Sequence, residues 1–201
     1  MCIRDRNIDT LVRKNVKKMS SYLSARDDFK RENVKKLIYL DANESPFDNR
    51  INRYPDNKHT ELKKVVSDIK NVNVNEVIFG NGTDEILDLI VRVFCDPNRD
   101  KIITLPPTYG MYDVIAKTNG VENIEIPLKS DFSINKNEIL KLSSTSAKIL
   151  FLCSPNNPTG NSFDTNNLTD LIKAFKGIVV IDEAYKDFSS NQSLISLIED
   201  N

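Results

Sequence analysis

Short aliphatic runs alternate with segments of helical periodicity along most of this sequence, and that alternation restricts the fold more than any other feature. The runs at residues 149–153 and 178–181 are entirely apolar, as expected for parallel strands that are buried on both faces. Between them, residues 164–175 carry apolar side chains at helical spacing. The pattern therefore predicts an α/β domain in which a mostly parallel sheet is covered by helices on both faces.

The same periodicity predicts further elements upstream of these two runs. Strands are expected at residues 37–40, 77–79, 101–105 and 122–126, and helices at residues 60–70, 83–95, 109–118 and 135–142. Residues 1–36 carry 11 basic and 5 acidic side chains, and we interpret them as an N-terminal arm. The first six residues look foreign to the rest of the chain. Residues 37–201 are interpreted as an incomplete large domain.

Composition excludes several classes of protein. With 28 basic and 29 acidic side chains the net charge is −1, whereas nucleic-acid binders usually show a clear basic excess. The longest apolar run has five residues (149–153), far short of the roughly 18–20 that a membrane span requires. The three cysteines are odd in number and widely spaced, which indicates free thiols and a cytoplasmic protein. No metal site is predicted, because His59 is the only histidine and lies in a polar turn.

Ligands of such sheets bind at the carboxyl ends of the strands, and the first informative strand end is followed by residues 80–85 (GNGTDE). The two glycines permit a tight turn, and the helix that starts there directs backbone N–H groups and a partial positive charge outward. Both features favour phosphate binding. Taken alone, the same residues could form a simple strand–turn–helix with Thr83 or Asp84 as the helix cap.

Three more strand ends carry polar or aromatic groups. Two prolines precede Tyr109, which could stack on a planar ring or pack over the sheet edge. Asn157 lies in residues 154–160 (SPNNPTG) and can donate to a phenolate or carbonyl oxygen. Asp182 ends an apolar strand, where a carboxylate is costly unless a cation partners it or a turn uses it as a cap. Together the four ends suit a flat, phosphorylated ring whose nitrogen stays protonated.

These motifs resemble, in the same order, those of the fold-type I pyridoxal-phosphate-dependent aminotransferases, and most closely the histidinol-phosphate aminotransferases among them. The matching stretches are residues 40–47 (LDANESPF), 53–55 (RYP), 80–85 (GNGTDE), 107–112 (PTYGMY), 154–160 (SPNNPTG) and 182–185 (DEAY). Residues 22–26 (YLSAR) are similar to the family's substrate-side arm. The resemblance implies the large domain of that fold, with pyridoxal 5′-phosphate as the cofactor.

The resemblance also implies roles for individual residues. The backbone N–H groups of Gly82, Thr83 and Asp84 would hold the cofactor phosphate. The Tyr109 ring would stack on the pyridine, and Asp182 would pair with the ring nitrogen. Asn157 and Tyr185 would bond the ring's 3′ oxygen. Asp182 and Tyr185 would be the catalytic residues among them. The carboxylate matters because a protonated nitrogen makes the ring an electron sink.

Three further residues are assigned to the subunit interface and the substrate side. Tyr54 would reach the cofactor phosphate of a neighbouring subunit, which implies a homodimer, and Tyr22 and Glu44 would lie on the side of a small phosphorylated or amino-acid substrate. The implied reaction converts glutamate and imidazole-acetol phosphate to histidinol phosphate and 2-oxoglutarate, in histidine biosynthesis.

One departure from the family pattern changes what this chain is expected to do. The family's cofactor-bonding lysine lies in a Ser-Lys pair after the DEAY strand, and the 201 residues contain no Ser-Lys pair. We therefore expect the N-terminal part of such an enzyme, truncated before the small C-terminal domain and inactive alone. Alternatives are a threonine-phosphate decarboxylase, an aromatic aminotransferase, or a non-catalytic fragment that binds phosphorylated rings.

Overall fold

The computed structural model describes residues 7–23, 38–143 and 147–198. The chain forms two compact units, one made of Met1–Lys17 with Phe79–Asn201 and the other of Lys18–Ile78. The expected boundary between arm and large domain, at residues 36 and 37, lies outside the described residues. The first six residues lie outside them too. Both interpretations stay predictions.

A four-stranded parallel sheet forms the centre of the first unit. Its strands are β1 (Lys101–Thr104), β2 (Glu122–Glu125), β3 (Ala147–Cys153) and β4 (Ile178–Asp182). Their order across the sheet is β2-β1-β3-β4, and every pairing is parallel. Cys153 pairs with Asp182, so β3 and β4 end level with each other. The predicted parallel sheet is confirmed.

Helices cover both faces of this sheet, as predicted. In chain order the helices are α1 (Lys14–Lys17), α2 (Thr60–Lys70), α3 (Gly82–Phe94), α4 (Met111–Thr118), α5 (Lys136–Leu142) and α6 (Thr165–Ala174), and all except α2 belong to the first unit. Short 3-10 segments occur at Ile8–Thr10, Val74–Glu76, Lys186–Phe188 and Leu194–Ile198.

Strand β3 separates two hydrophobic cores. Ile149, Phe151 and Cys153 pack with buried residues of α3 and α4, whereas Leu150 and Leu152 pack with buried residues of α5 and α6. All five side chains are at most 2% exposed. Because successive residues of a strand point to opposite faces, a strand covered on both faces must be apolar at every position, which explains the unbroken aliphatic run.

The N-terminal segment of the first unit is attached to the end of α3 by charged side chains. Arg13 pairs with Asp96 at 3.3 Å and donates to the carbonyl oxygen of Arg92 at 2.7 Å. Lys148, on β3, donates to the carbonyl oxygen of Leu11 at 3.4 Å and pairs with Asp100 at 2.9 Å. The segment is therefore held by contacts to side chains and backbone far away in sequence.

The second unit contains α2, as predicted, but no strand among its described residues. The strand predicted at residues 37–40 is wrong for 38–40, and the one at 77–79 is also wrong: both stretches have irregular backbone. Ile38, Leu40 and Ile78 are 82%, 90% and 68% exposed. Short apolar stretches form strands only where a neighbouring strand accepts their hydrogen bonds, and these have none among the described residues. Within the described residues, no helix combines the length and hydropathy needed to cross a membrane.

Candidate functional site

A cavity of about 240 Å³ lies at the carboxyl ends of β3 and β4. Its walls come from the turn into α3, the loop after β1 and the residues that end β3 and β4. The lining residues are Asn81, Gly82, Thr83, Asp84, Tyr109, Cys153, Asp182, Ala184 and Tyr185. All belong to the first unit. This is the sheet edge at which the sequence predicts a site.

The turn into α3 exposes backbone donors to this cavity. Gly82 has a φ of +78°, a left-handed conformation that glycine adopts without a Cβ penalty. Its N–H donates to the carbonyl oxygen of Gly80 at 3.0 Å, so this donor is engaged within the turn. The N–H groups of Thr83 and Asp84 lie in the first turn of α3, where no acceptor exists within the helix. These two are the candidate phosphate donors.

Tyr109 forms an aromatic wall of the cavity. Its phenol donates to the Asp84 carboxylate, at 3.2 Å from Oδ1 and 3.4 Å from Oδ2. Its ring meets the Tyr112 ring edge-to-face, with 5.6 Å between centroids. Burial, and then the negative charge of Asp84, raise the pKa of Tyr109, so the phenol stays neutral at physiological pH. The ring is thereby held at both its edge and its hydroxyl.

Asp182 supplies the cavity's buried carboxylate. The residue is 7% exposed, and each oxygen has a donor: the Tyr112 phenol at 2.8 Å from Oδ2, and the Ala184 N–H at 3.0 Å from Oδ1. Burial, and next the Asp182 charge, raise the pKa of Tyr112 far above its usual range, which keeps this phenol a neutral donor. A carboxylate has about four acceptor sites, so Asp182 retains capacity for a cationic N–H.

Two adjacent asparagines follow β3 and make different contacts. Asn157 is half-buried, and its amide donates to the Tyr185 hydroxyl at 3.4 Å. Asn156 is 3% exposed: its Oδ1 accepts from the Thr108 hydroxyl at 2.8 Å, and its Nδ2 donates to the Pro107 carbonyl at 2.9 Å and the Thr159 hydroxyl at 2.7 Å. Asn156 therefore links the loop after β1 to the loop after β3.

Most of the site residues expected from the sequence lie together. Six of them line the cavity: Gly82, Thr83, Asp84, Tyr109, Asp182 and Tyr185. Asn157 adjoins the cavity through its contact with Tyr185. The roles assigned to these residues stay predictions.

Tyr22, Glu44 and Tyr54 belong to the second unit. The Glu44 carboxylate accepts from the Arg53 guanidinium and from the backbone N–H of Tyr54, both at 2.7 Å. Its side chain is 4% exposed, whereas Tyr22 is 86% exposed. Glu44 thus shapes the turn that carries Tyr54. The substrate-side and intersubunit roles of these three residues stay predictions.

Sequence reasoning assigned no role to two buried residues of the site, Tyr112 and Asn156. Tyr112 follows Tyr109 by three residues, so the two rings share a face of the predicted helix, and this spacing was the available signal. For Asn156 the signal was the doubled asparagine, because a buried loop of this kind needs one polar side chain to satisfy its own backbone.

The arrangement can bind a ring that is anionic at one end and cationic at the other. Backbone donors at the start of α3 favour an anion, Asp182 favours a cation, and Tyr109 offers a flat surface between them.

Comparison with known proteins gives a consistent result. A family model described as "Aminotransferase class I and II" matches residues 23–200. The histidinol-phosphate aminotransferase of Flavobacterium psychrophilum is 55% identical over 96% of this chain, and that of Flavobacterium johnsoniae is 50% identical over 96%. In both cases the match covers 56% of the relative, so the chain spans little more than half the length of these curated relatives.

A solved structure supports the fold. The histidinol-phosphate aminotransferase from Sinorhizobium meliloti, crystallised with pyridoxal-5′-phosphate, has a TM-score of 0.63 and 20% identity. The match covers 68% of this chain and 38% of that one. This similarity confirms the architecture predicted from the alternating strands and helices.

Proposed function

This chain belongs to the class I and II aminotransferase family, and from that premise we propose that it is the cofactor-binding part of a histidinol-phosphate aminotransferase. The complete enzyme would convert glutamate and imidazole-acetol phosphate to histidinol phosphate and 2-oxoglutarate. Curated relatives at 55% and 50% identity carry this name. The observation that carries the proposal is the buried Asp182 carboxylate, which lines the same small cavity as the start of α3.

Pyridoxal 5′-phosphate fits the residues of this cavity. About 240 Å³ is somewhat below the roughly 300–1,000 Å³ of sites for drug-sized ligands, which suits a single substituted ring. Thr83 and Asp84 offer backbone N–H groups for the phosphate, and the Tyr109 ring offers a stacking surface. The Asp182 carboxylate is buried and keeps acceptor capacity, so a protonated pyridine nitrogen would satisfy it.

When bound, pyridoxal phosphate supplies an electron sink for the carbanion formed at the amino acid's α-carbon. Asp182 would hold the proton on the ring nitrogen, because a carboxylate in a low-dielectric cavity strongly favours a neighbouring cation. The Asn157 amide and the Tyr185 hydroxyl would donate to the ring's 3′ oxygen. Tyr109 would exclude water from one face of the ring.

The remaining parts of the reaction are proposed to come from outside this chain. The 201 residues contain no Ser-Lys pair, the motif in which the family carries its cofactor-bonding lysine. We expect that lysine, and the arginines that bind the substrate, in the remainder of the enzyme, and no transaminase activity from this chain alone. A cytoplasmic homodimer, in which Tyr54 contacts the neighbouring subunit's cofactor phosphate, completes the proposal.

The cofactor proposal can be tested on the chain itself with 4′-deoxypyridoxine 5′-phosphate. This analogue has a methyl group in place of the aldehyde, so it cannot bond covalently to surface lysines. We expect saturable one-to-one binding by titration calorimetry. Asp182→Asn should weaken binding roughly 10- to 100-fold, the range for a hydrogen bond to a charged group.

Asp187→Asn is the matched control, because it makes the same chemical change at an exposed acid five residues away. It should bind the analogue as the wild type does. Absence of binding by the wild type, or equal effects of the two substitutions, would contradict the proposal.

The substrate is tested on the complete enzyme. The coding sequence should continue past Asn201 into a Ser-Lys motif, and the encoded protein should be assayed with histidinol phosphate, threonine phosphate and phenylalanine. We expect the highest kcat/KM with histidinol phosphate. A preference for threonine phosphate or phenylalanine would instead support the decarboxylase or the aromatic aminotransferase.

A further inference from the structure

We propose that Tyr112 is a positioning residue for Asp182: its phenol holds the carboxylate in the orientation that keeps the ring nitrogen of bound pyridoxal phosphate protonated. The inference rests on the proposed function, since it assigns Asp182 to that nitrogen. Tyr112 does not line the cavity, so it would act through Asp182 rather than on the ring.

The contact between the two side chains is short and buried. The Tyr112 hydroxyl lies 2.8 Å from Oδ2 of Asp182, and the residues are 0% and 7% exposed. Hydrogen bonds to a charged acceptor are stronger than neutral ones, and a low-dielectric surrounding strengthens them further. The bond also connects α4 to the end of β4, and its two residues are 70 positions apart in the sequence.

The phenol is itself fixed by aromatic packing. The Tyr112 ring stacks on Phe151 of β3, with 4.9 Å between centroids and 7° between planes. Tyr109 meets it edge-to-face. With its ring enclosed on two sides, Tyr112 cannot swing away without disturbing the core. The carboxylate therefore has a rigid donor on one oxygen and the Ala184 backbone N–H on the other.

A single donor would not orient the carboxylate in this way. If only the Ala184 N–H remained, the group could rotate about its Cβ–Cγ bond and turn its free lone pairs away from the cavity. Two donors on different oxygens define one plane, and the remaining acceptor sites then point in fixed directions. This geometry is what a cationic ring nitrogen in the cavity requires.

A neutral donor suits this position better than a charged one. A lysine or protonated histidine at position 112 would pair with Asp182 and compete with the ring cation for its charge. The Tyr112 phenol is buried next to that carboxylate, so it remains un-ionised and leaves the full negative charge for the ligand. Tyr112 thus orients Asp182 without neutralising it.

The test measures protonation of the ring directly, by the ultraviolet absorption of bound 4′-deoxypyridoxine 5′-phosphate. The pH is set high enough that the ring nitrogen of the free analogue has lost its proton. The chain is saturated with the analogue, and the protonated fraction is read from the spectrum. We expect a mostly protonated ring in the wild type and a mostly unprotonated ring in Asp182→Asn. Tyr112→Phe should lie between them, with analogue affinity lowered roughly three- to tenfold.

Three further variants separate positioning from folding. Phe175→Leu removes aromatic volume from the core on the other face of the sheet, away from Tyr112, so it should lower the melting temperature and keep the wild-type protonated fraction. Tyr112→Phe should have no further effect on the spectrum in an Asp182→Asn background. Tyr112→His keeps an aromatic N–H donor that is mostly neutral at this pH, and it carries the test if Tyr112→Phe does not fold.

The outcomes distinguish this inference from the proposed function. A wild-type spectrum in Tyr112→Phe, with the effect of Asp182→Asn intact, would overturn the role of Tyr112 and leave the cofactor site standing. A protonated fraction in Tyr112→His that is as low as in Asp182→Asn would also overturn the role of Tyr112. No binding, or an unprotonated ring, in the wild type would overturn both proposals together.

Discussion

Asn156 and Asn157 are neighbours in the chain, yet their side chains serve different purposes. Asn156 is buried and bonds to Thr108, Pro107 and Thr159, so all its polar atoms are used within the protein. Asn157 is half-buried and bonds to Tyr185 beside the cavity. The first residue therefore stabilises two loops against each other, while the second is free to act on a ligand.

This difference predicts opposite results for two alanine substitutions. Asn156→Ala leaves several buried polar groups without partners, so it should lower the free energy of unfolding by about 1–3 kcal/mol. Asn157→Ala should change it by less than about 0.5 kcal/mol and should instead weaken binding of 4′-deoxypyridoxine 5′-phosphate. Urea unfolding and calorimetry measure the two effects. Equal loss of stability in both variants would contradict the assignment.

At the scale of residues, the sequence predicts which side chains lie at the cavity better than it predicts which side chains support the cavity from within the protein. Asp182 is the last residue of β4 and Tyr109 lies in the loop after β1, so the topology alone brings them to one edge of the sheet. Tyr112 and Asn156 act through contacts between loops and helices that are distant in sequence. Only the three-dimensional packing reveals those contacts.

Helix α2 illustrates how an element can begin without a conventional cap. His59 occupies the cap position in a left-handed conformation and makes no side-chain cap bond. Asp56 replaces it: its carboxylate accepts from the backbone N–H groups of Thr60 at 2.8 Å and Lys58 at 2.9 Å. The Thr60 bond, followed by the Lys58 bond, lowers the pKa of Asp56 from 3.8 to about 2.

The stabilisation by Asp56 should therefore depend on pH. Its folded pKa is depressed, so the contribution is fully present above pH 3.8 and is lost as the pH falls toward 2. An NMR titration of the carboxyl group should give a midpoint near 2, and Asp56→Asn should remove this part of the acid dependence. A midpoint close to 3.8 in the wild type would contradict the capping role.

At the scale of elements, the apolar pattern predicts a strand correctly where neighbouring strands and helices cover it, and wrongly where no strand lies beside it. Residues 149–153 lie between two neighbouring strands and two layers of helices, so their apolar pattern and their strand conformation agree. Residues 38–40 and 77–79 have a similar local pattern but no strand beside them among the described residues. Strand formation depends on that neighbour, which periodicity does not report.

Across the whole molecule, stability should decrease from the centre of the sheet to its edges. β3 is paired on both sides and is almost completely buried, whereas β4 pairs only with β3 among the described residues and is partly exposed over Ile178–Ile181. Backbone groups on an unpaired edge exchange with solvent more readily than paired ones.

Hydrogen exchange of the 201-residue chain should show this gradient. We expect the amides of β3 to exchange at least about tenfold more slowly than the least protected amides of β4. Equal protection of both strands would mean that the outer edge of β4 is covered in solution. Sedimentation velocity would then show whether a second copy of the chain covers it.

The attachment of the N-terminal segment determines how the two units are connected. Residues before Lys18 belong to the first unit, and the chain returns to that unit at Phe79, so the second unit is an insertion with both ends tied to the same body. The segment before Lys18 is held on the first unit by the side-chain contacts of Arg13 and Lys148 and by a backbone hydrogen bond from Arg13 to Val93 at 3.0 Å. Loss of all these contacts would convert a closed loop into a tail, and the chain ahead of Phe79 would regain the entropy that loop closure removes.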